Sequence, residues 1–229
     1  MPVFRLTDEI VFPPPDLAED EGLLAIGGDL SEQRLLLAYS MGIFPWYSDC
    51  SPILWWSPDP RLILLPEGLK ISRSLRQTIK KGIFEVTMDR AFDSVIRNCA
   101  SAQRKDERGT WITDEMIEAY ILLHNSGYAH SVESWVDGEI AGGLYGVALG
   151  SAFFGESMFA RKSNASKVAF VTLVQQLHRW EFSLIDCQIN TLHLRSFGAH
   201  EIPRKEFLKM LKTALDVPTS KGKWKLDNV

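Results

Sequence analysis

The sequence predicts an α+β fold, and three observations carry that reading. Residues 131–136 and 139–147 read as strands on either side of Asp137-Gly138, a dipeptide suited to the two positive-φ positions of a tight hairpin. A further strand-like run, residues 152–159, follows after Leu149-Gly150, which makes an antiparallel meander. Phe170, Leu173, Val174 and Leu177 then recur at helical spacing, so a helix follows the meander instead of alternating with its strands.

From the start of the chain, residues 1–60 are dense in turn formers, among them Pro13, Pro14, Pro15, Gly27, Gly28, Pro45, Pro58 and Pro60. They hold one helix, capped by Ser31, striped by Leu35, Leu36 and Tyr39, and stopped by Gly42. This segment is predicted to be a small N-terminal α+β domain, with 61–229 as the larger one. The apolar run Leu62 to Leu65 opens the second part. A helix over 72–80 puts Ile71, Leu75 and Ile79 on one side and Arg73, Arg76 and Lys80 on another, a basic ridge that Lys81 extends. Residues 84–88 read as a strand, and Asp89 as the cap of a short helix carrying Phe92, Val95 and Ile96. Thr113 suits the next N-cap, with Asp114 and Glu115 in its first turn and Gly127 as its stop. After the meander a helix starts near Asn164, residues 182–188 form a strand, and Pro203 opens a last helix over 205–215. A meander, a helix and a returning strand is the order of an N-acetyltransferase-like (GNAT-like) core, a mixed, mainly antiparallel sheet flanked by helices.

Composition narrows the function classes. The 229 residues are 45% apolar, enough for a full-sized core with a small satellite. The polar stretch 1–8 lacks a signal core, and no run reaches the roughly 18 apolar residues of a membrane span, so a soluble, cytoplasmic protein is expected. A net charge of −4 excludes nonspecific coating of nucleic acid and confines any such contact to a local basic patch. Cys50, Cys99 and Cys187 are far apart and the five histidines have no ligand spacing, so neither disulfide nor metal is expected and each histidine reads as surface or packing. Gly27-Gly28 is a tight turn, since no dinucleotide or P-loop pattern surrounds it.

Chemistry concentrates in two strands. Alternation puts Asp186 and Gln188 on one face, roughly 7 Å apart; they either line a cleft together or simply end a hydrogen-bonded strand. Over residues 152–159 it puts Phe154, Glu156 and Met158 on one face and Phe153, Gly155 and Ser157 on the other. A carboxylate flanked by Phe, Gly and Met must meet a cleft, a cation or a substrate amine, or else an ion pair with Arg161 or Lys162. Ser157 lacks the second glycine of a nucleophile elbow and is rejected as a hydrolase serine. Trp55 and Trp56 read as packing anchors. Trp46 and Trp111, beside Phe44-Pro45 and Gly109-Thr110, can keep an indole face open to stack on a base.

At this point the chain resembles the leucyl/phenylalanyl-tRNA-protein transferases. The resemblance rests on Gly22-Leu-Leu-Ala-Ile-Gly-Gly-Asp-Leu-Ser31, Gly42-Ile-Phe-Pro-Trp46, Ile53-Leu-Trp-Trp-Ser-Pro-Asp-Pro-Arg61, Gly109-Thr-Trp-Ile-Thr113, Gly155-Glu-Ser-Met-Phe159 and Leu184-Ile-Asp-Cys-Gln188, six motifs in order. It implies transfer of leucine or phenylalanine, less well methionine, from aminoacyl-tRNA to the α-amine of proteins that begin with Lys or Arg, marking them for degradation. It also implies no metal or nucleotide cofactor, and a monomer is expected. The matched positions imply catalytic roles for Asp186, Gln188 and Glu156. Trp46 and Trp111 would hold the aminoacyl-adenosine end, and Leu144, Phe153, Met158, Phe170, Leu173 and Ile185 an apolar side-chain pocket. On the tRNA, Arg73, Arg76, Lys80 and Lys81 are the candidate phosphate contacts, with a solvated helix face as the alternative. An acyl-CoA enzyme loses support because residues 160–166 contain no glycine for a pyrophosphate turn.

Overall fold

A computed structural model describes residues 3–48, 50–102 and 112–227. Strand β1 (Phe4–Leu6) lies parallel to β2 (Leu23–Gly27), which pairs antiparallel with a strand formed by Leu54–Trp56. Between them in sequence, helix α1 (Glu32–Ser40) begins at Ser31, whose hydroxyl accepts the Arg34 N–H, and ends with Gly42 in the left-handed region. Strand β3 (Phe44–Pro45) and β4 (Leu54–Trp56) complete a four-stranded sheet in the order β1-β2-β4-β3.

Strand β5 (Arg61–Leu64) starts a second sheet and leads to α2 (Arg73–Lys80), capped by Ser72. There follow β6 (Glu85–Met88), α3 (Phe92–Ser101), α4 (Asp114–Asn125), the meander β7 (Ala129–Val136), β8 (Glu139–Leu149) and β9 (Ala152–Ala160), α5 (Ala165–Arg179) and β10 (Leu184–Gln188). A one-turn α6 (Leu192–Arg195), β11 (His200–Ile202) and α7 (Arg204–Leu215) close the regular structure. The seven strands run in the order β11-β5-β10-β9-β8-β7-β6, and only the β10–β9 pairing is parallel. The hairpin turn has Asp137 at φ +53° and Gly138 at +78°, as its dipeptide requires. No helix among the described residues is long and apolar enough to cross a membrane.

Alternation along β8 divides the interior in two. Tyr145 and Val147 face a core built with α1, α3, α4, α7 and the N-terminal sheet, while Leu144 and Ala148 face a second core with α2 and α5. The expected stripe on α2 shrinks to one buried anchor, Leu75, with Ile79 left 37% exposed, because this two-turn helix lies at the margin of the second core.

Asp89 does not cap α3. It sits two residues short of the N-cap Ala91, in the left-handed region at φ +52°, and turns its carboxylate inward. There it accepts the Ser131 N–H (2.8 Å) and the Trp224 N–H (2.7 Å), and it lies 2.8 Å from Nδ1 of buried His130. The C-terminal stretch after α7, for which the sequence sets no expectation, is thereby pinned beneath the sheet. Asp89→Ala leaves these buried groups without their acceptor and is expected to cost about 3 kcal/mol. A urea midpoint equal to wild type would contradict that anchoring role.

Candidate active site

Two irregularities in neighbouring strands build the site. On β9, Tyr145 pairs with Ser157 and Gly146 with Gly155, so Glu156 is a bulged extra residue. Alternation resets there: Phe154 and Phe159 both join the first core, Phe153 and Met158 the second. This corrects the expected grouping of Phe154, Glu156 and Met158 on one face. Gly146 opposite the bulge has no room for a side chain, since a Cβ would lie 2.2 Å from the Phe154 carbonyl oxygen and 2.5 Å from the Phe153 ring. On β10, Asp186 pairs with Ile63 and Gln188 with Leu62, which leaves Cys187 extra and sets Gln188 at φ +60°. The parallel ladder between β9 and β10 ends at the Asp186–Phe154 pair. A cavity of about 480 Å³ opens beside it.

The polar end of the cavity is a network of buried groups. Asp186, 0% exposed, accepts from Arg61 Nε (2.8 Å) and Nη2 (2.7 Å), a bidentate pair. The Arg61 guanidinium lies 4.7 Å from the ring centres of both Phe44 and Phe207. Asp186 Oδ1 also accepts the backbone N–H of Gln188 at 2.9 Å. Asp186 therefore fixes the backbone of Gln188 and not its amide, and its charge is already matched.

Among the described residues Glu156 meets no cation. Arg161 reaches Asn98 and Lys162 approaches Asp137, so the anticipated ion pair does not form. Its carboxylate instead accepts from Gln188 Nε2 (2.8 Å), Tyr39 (2.8 Å) and Tyr120 (3.1 Å), and the two phenols also touch each other. Among the described residues no donor meets the Gln188 amide oxygen, which faces the cavity side able to accept. Burial pushes the Glu156 carboxyl up to about 7, with Asp186 adding to that and the three hydrogen bonds opposing it. Burial and the Glu156 charge likewise hold the Tyr39 and Tyr120 phenols well above their usual range.

The other end of the cavity is apolar. Leu144, Phe153, Met158, Phe170, Leu173 and Ile185, all predicted, line it together from the second core. Trp46 stands at its margin, half-buried, with Trp56 behind it at 5.8 Å between rings and the Trp56 Nε1–H donated to the Trp46 carbonyl. Trp55 is a packing anchor, fully buried and bonded to the Gly27 carbonyl. Trp111 lies outside the described residues. Arg73, Arg76, Lys80 and Lys81 are exposed on or just after α2, away from the cavity lining, and no carboxylate pairs with them among the described residues. Among the described residues no group of three or more His, Cys, Asp or Glu is placed to hold a metal.

Sequence reasoning missed Arg61, Tyr39, Tyr120 and His193. Tyr39 was counted as helix stripe and His193 as surface, yet His193 lines the cavity, and burial together with Lys167 lowers its basicity. An arginine heading the apolar run Leu62 to Leu65 was the available signal for Arg61, because a buried guanidinium demands a carboxylate.

The raised Glu156 carboxyl has a measurable consequence. From its ordinary value of 4.5 up to about 7, the unfolded chain releases this proton before the folded one does, so stability falls as pH rises through that window. The group accounts for about 3 kcal/mol. Glu156→Gln is thus expected to gain about 3 kcal/mol relative to wild type between pH 4.5 and pH 8 in urea titrations; a pH-independent difference would contradict the assignment.

Comparison with known proteins places this geometry. The family model described as leucyl/phenylalanyl-tRNA protein transferase matches residues 63–212, and that of the same family's N-terminal domain matches 28–59. The chain is 60% identical over 227 residues to the leucyl/phenylalanyl-tRNA-protein transferase of Anaeromyxobacter sp. (strain Fw109-5), covering 99% of this chain and 97% of that one. It is 63% identical over 211 residues to that of Syntrophobacter fumaroxidans (92% and 90% covered) and 56% identical over 226 residues to that of Myxococcus xanthus (98% and 97%). With its cavity, its bulged strands and this likeness along almost its whole length, the chain belongs to the leucyl/phenylalanyl-tRNA-protein transferase family.

Proposed function

We propose that the chain transfers leucine or phenylalanine, and methionine less well, from aminoacyl-tRNA to the α-amine of proteins beginning with Lys or Arg, in the cytoplasm and as a monomer, marking them for N-degron-dependent degradation. One observation supports this reading: a cavity with an apolar half ends at a carboxylate that meets no cation among the described residues and at the Gln188 amide, whose NH2 is donated to that carboxylate. The two sheets, falling on either side of residue 60, support a small N-terminal unit (1–60) and a larger one (61–229). The meander, helix and returning parallel strand support a GNAT-like core in the latter.

The reaction is aminolysis of an ester: the N–C bond forms, the bond to the ribose oxygen breaks, and no cofactor is needed. An α-amine with a pKa near ~7.7–8.0 already offers a neutral fraction at neutral pH. The Gln188 oxygen accepts one N–H and aims the lone pair, because its NH2 is committed to Glu156. Positive charge then develops on the attacking nitrogen. Asp186, matched by Arg61, positions Gln188 and answers little of that charge, so the role falls to Glu156. Tyr39, Tyr120 and Glu156 make three mutual contacts with two phenolic protons between them, and one incoming proton completes the ring. Glu156 is accordingly the proton acceptor, its carboxyl brought near the working pH. Glu156 then returns that proton, relayed through the neighbouring ribose hydroxyl, to the leaving ribose oxygen, which leaves the carboxylate as it began. The same carboxylate favours acceptors with a cationic first side chain.

Incubation with labelled Phe-tRNA and an Arg-starting peptide is expected to label the peptide; absence of label overturns the reading. Glu156→Gln should lower kcat by roughly 10²-fold. Below pH 7 the slope of log kcat/KM against pH should fall from two, for the amine and Glu156 together, toward one. An unchanged slope removes Glu156 as the acceptor.

For the tRNA, the cations on and just after α2, unpaired with carboxylates among the described residues, support phosphate contacts by Arg73, Arg76, Lys80 and Lys81, and the place of Trp46 at the cavity margin supports stacking on the terminal adenosine, a role proposed for Trp111 from the sequence alone. Arg76→Ala with Lys80→Ala should lower the slope of log affinity against log salt by about one to two; the wild-type slope would return these residues to a solvated face.

A further inference from the structure

The C-terminal strap reaches the aminoacyl pocket from behind. It runs over residues 217–227, past residue 212 where the match to the family model ends. Thr219 Oγ1 accepts the Gly150 N–H at 2.8 Å, and Lys221 Nζ lies 4.4 Å from the Tyr128 ring. The Trp224 N–H is held by Asp89, and Asp227 accepts from Gln176 Nε2 at 2.5 Å while donating its own N–H to Gln176 Oε1 at 3.3 Å. The strap is therefore tied on both sides of one buried tryptophan.

That indole is enclosed by rings. It stacks on His130 at 3.6 Å and 5°, and it meets Trp180 and Phe182 edge-on at 5.1 and 5.7 Å. Its remaining ring contact is Phe153, at 6.1 Å and 37°. Phe153 lines the cavity, whereas Trp224 does not. The Phe153 ring stands between the cavity and the indole, with the space over Gly146 as its seat. Rigid closed packing of this kind transmits a change of volume to the next side chain instead of absorbing it.

We infer that Trp224 is a specificity-determining positioning residue, which sets the depth of the aminoacyl pocket by fixing the Phe153 ring from behind. This rests on the function proposed above. The choice between phenylalanyl and leucyl groups then depends on a side chain that touches neither. Removing the indole leaves a void into which Phe153 retreats, so the slot deepens and the larger aminoacyl group gains.

The test measures kcat/KM for Phe-tRNA and Leu-tRNA with one Arg-starting peptide. It compares wild type, Trp224→Leu and Trp224→Phe, each also in a Phe153→Leu background. The Phe-to-Leu ratio is expected to rise roughly tenfold in Trp224→Leu and by less in Trp224→Phe. In the Phe153→Leu background, where no ring remains to move, either change at 224 should leave the ratio within about twofold. A folded variant with lower thermal stability and an unmoved ratio shows a purely structural tryptophan and overturns the inference, as does a shift that persists without Phe153. Should Trp224→Leu fail to fold, the ratio in Trp224→Phe decides alone. A wild-type protein that labels no peptide overturns the function itself, a result distinct from an unmoved ratio in an active one.

Discussion

The buried pair between Arg61 and Asp186 is the constraint on which the site depends. Taking both charges out of water is costly, and only bidentate geometry with further hydrogen bonds offsets it. Here the guanidinium lies between Phe44 of β3 and Phe207 of α7, and the carboxylate sits on β10, so one ion pair ties the N-terminal sheet, the last helix and that strand to a common point. The same carboxylate holds the Gln188 N–H. A glutamine at φ +60° is disfavoured by about 1–2 kcal/mol for an L-residue, and this bond is what keeps it there. The amide that faces the cavity is thus aimed by an ion pair it does not itself join.

From that point the cavity follows. A regular sheet would send Asp186 and Gln188 to one face by alternation and leave no space between β9 and β10. Instead each strand carries an extra residue, Glu156 in one and Cys187 in the other, and their ladder stops at Asp186–Phe154. Bulges re-aim side chains and end pairing locally. The outcome is an opening that joins the apolar core under α5 to the polar groups facing α1 and α4; under the proposed function an acyl side chain and its reacting carbonyl occupy opposite sides of one sheet. Glu156 and Gln188 bridge the two bulges by a single hydrogen bond, which makes each irregularity a support for the other.

Local signals were legible in the sequence wherever a short-range rule governs. Ser31 and Thr113 cap the helices expected of them, and Asp137-Gly138 turns the hairpin. The ten described residues named for catalysis and the aminoacyl end all line one cavity. What escaped was long-range. Asp89 looks like an N-cap, but its partners Ser131 and Trp224 are far along the chain, and no local pattern announces them. The bulge at Glu156 hides because period-two alternation has no way to mark a skipped residue, which is why Met158 was placed with Phe154. Tyr39 reads as helix stripe and Tyr120 gives no signal at all, because their hydroxyls matter only after α1 and α4 meet over β9. Asp186 and Glu156 are the same chemistry in the sequence, and only the position of Arg61 separates a carboxylate paired with a cation from one that meets none among the described residues.

That separation bears on how selectivity is divided within the cavity. Under the proposed function discrimination at the polar end is electrostatic, since a carboxylate that meets no cation among the described residues favours an amine whose neighbourhood is positive. The apolar end has no such handle. Burial at roughly 25 cal/mol per Å² distinguishes side chains only by the area they fill, and a wall that yields by the width of a methylene surrenders much of the difference. Selection by size therefore demands stiffness behind the lining, and here the stiffness is supplied by aromatic packing: Phe153 is backed by Trp224, and Trp224 by His130, Trp180 and Phe182. The tethers from Asp89 and Gln176 prevent that stack from relaxing outward. The polar end is governed by charges within the cavity, while the apolar end is governed by packing outside it.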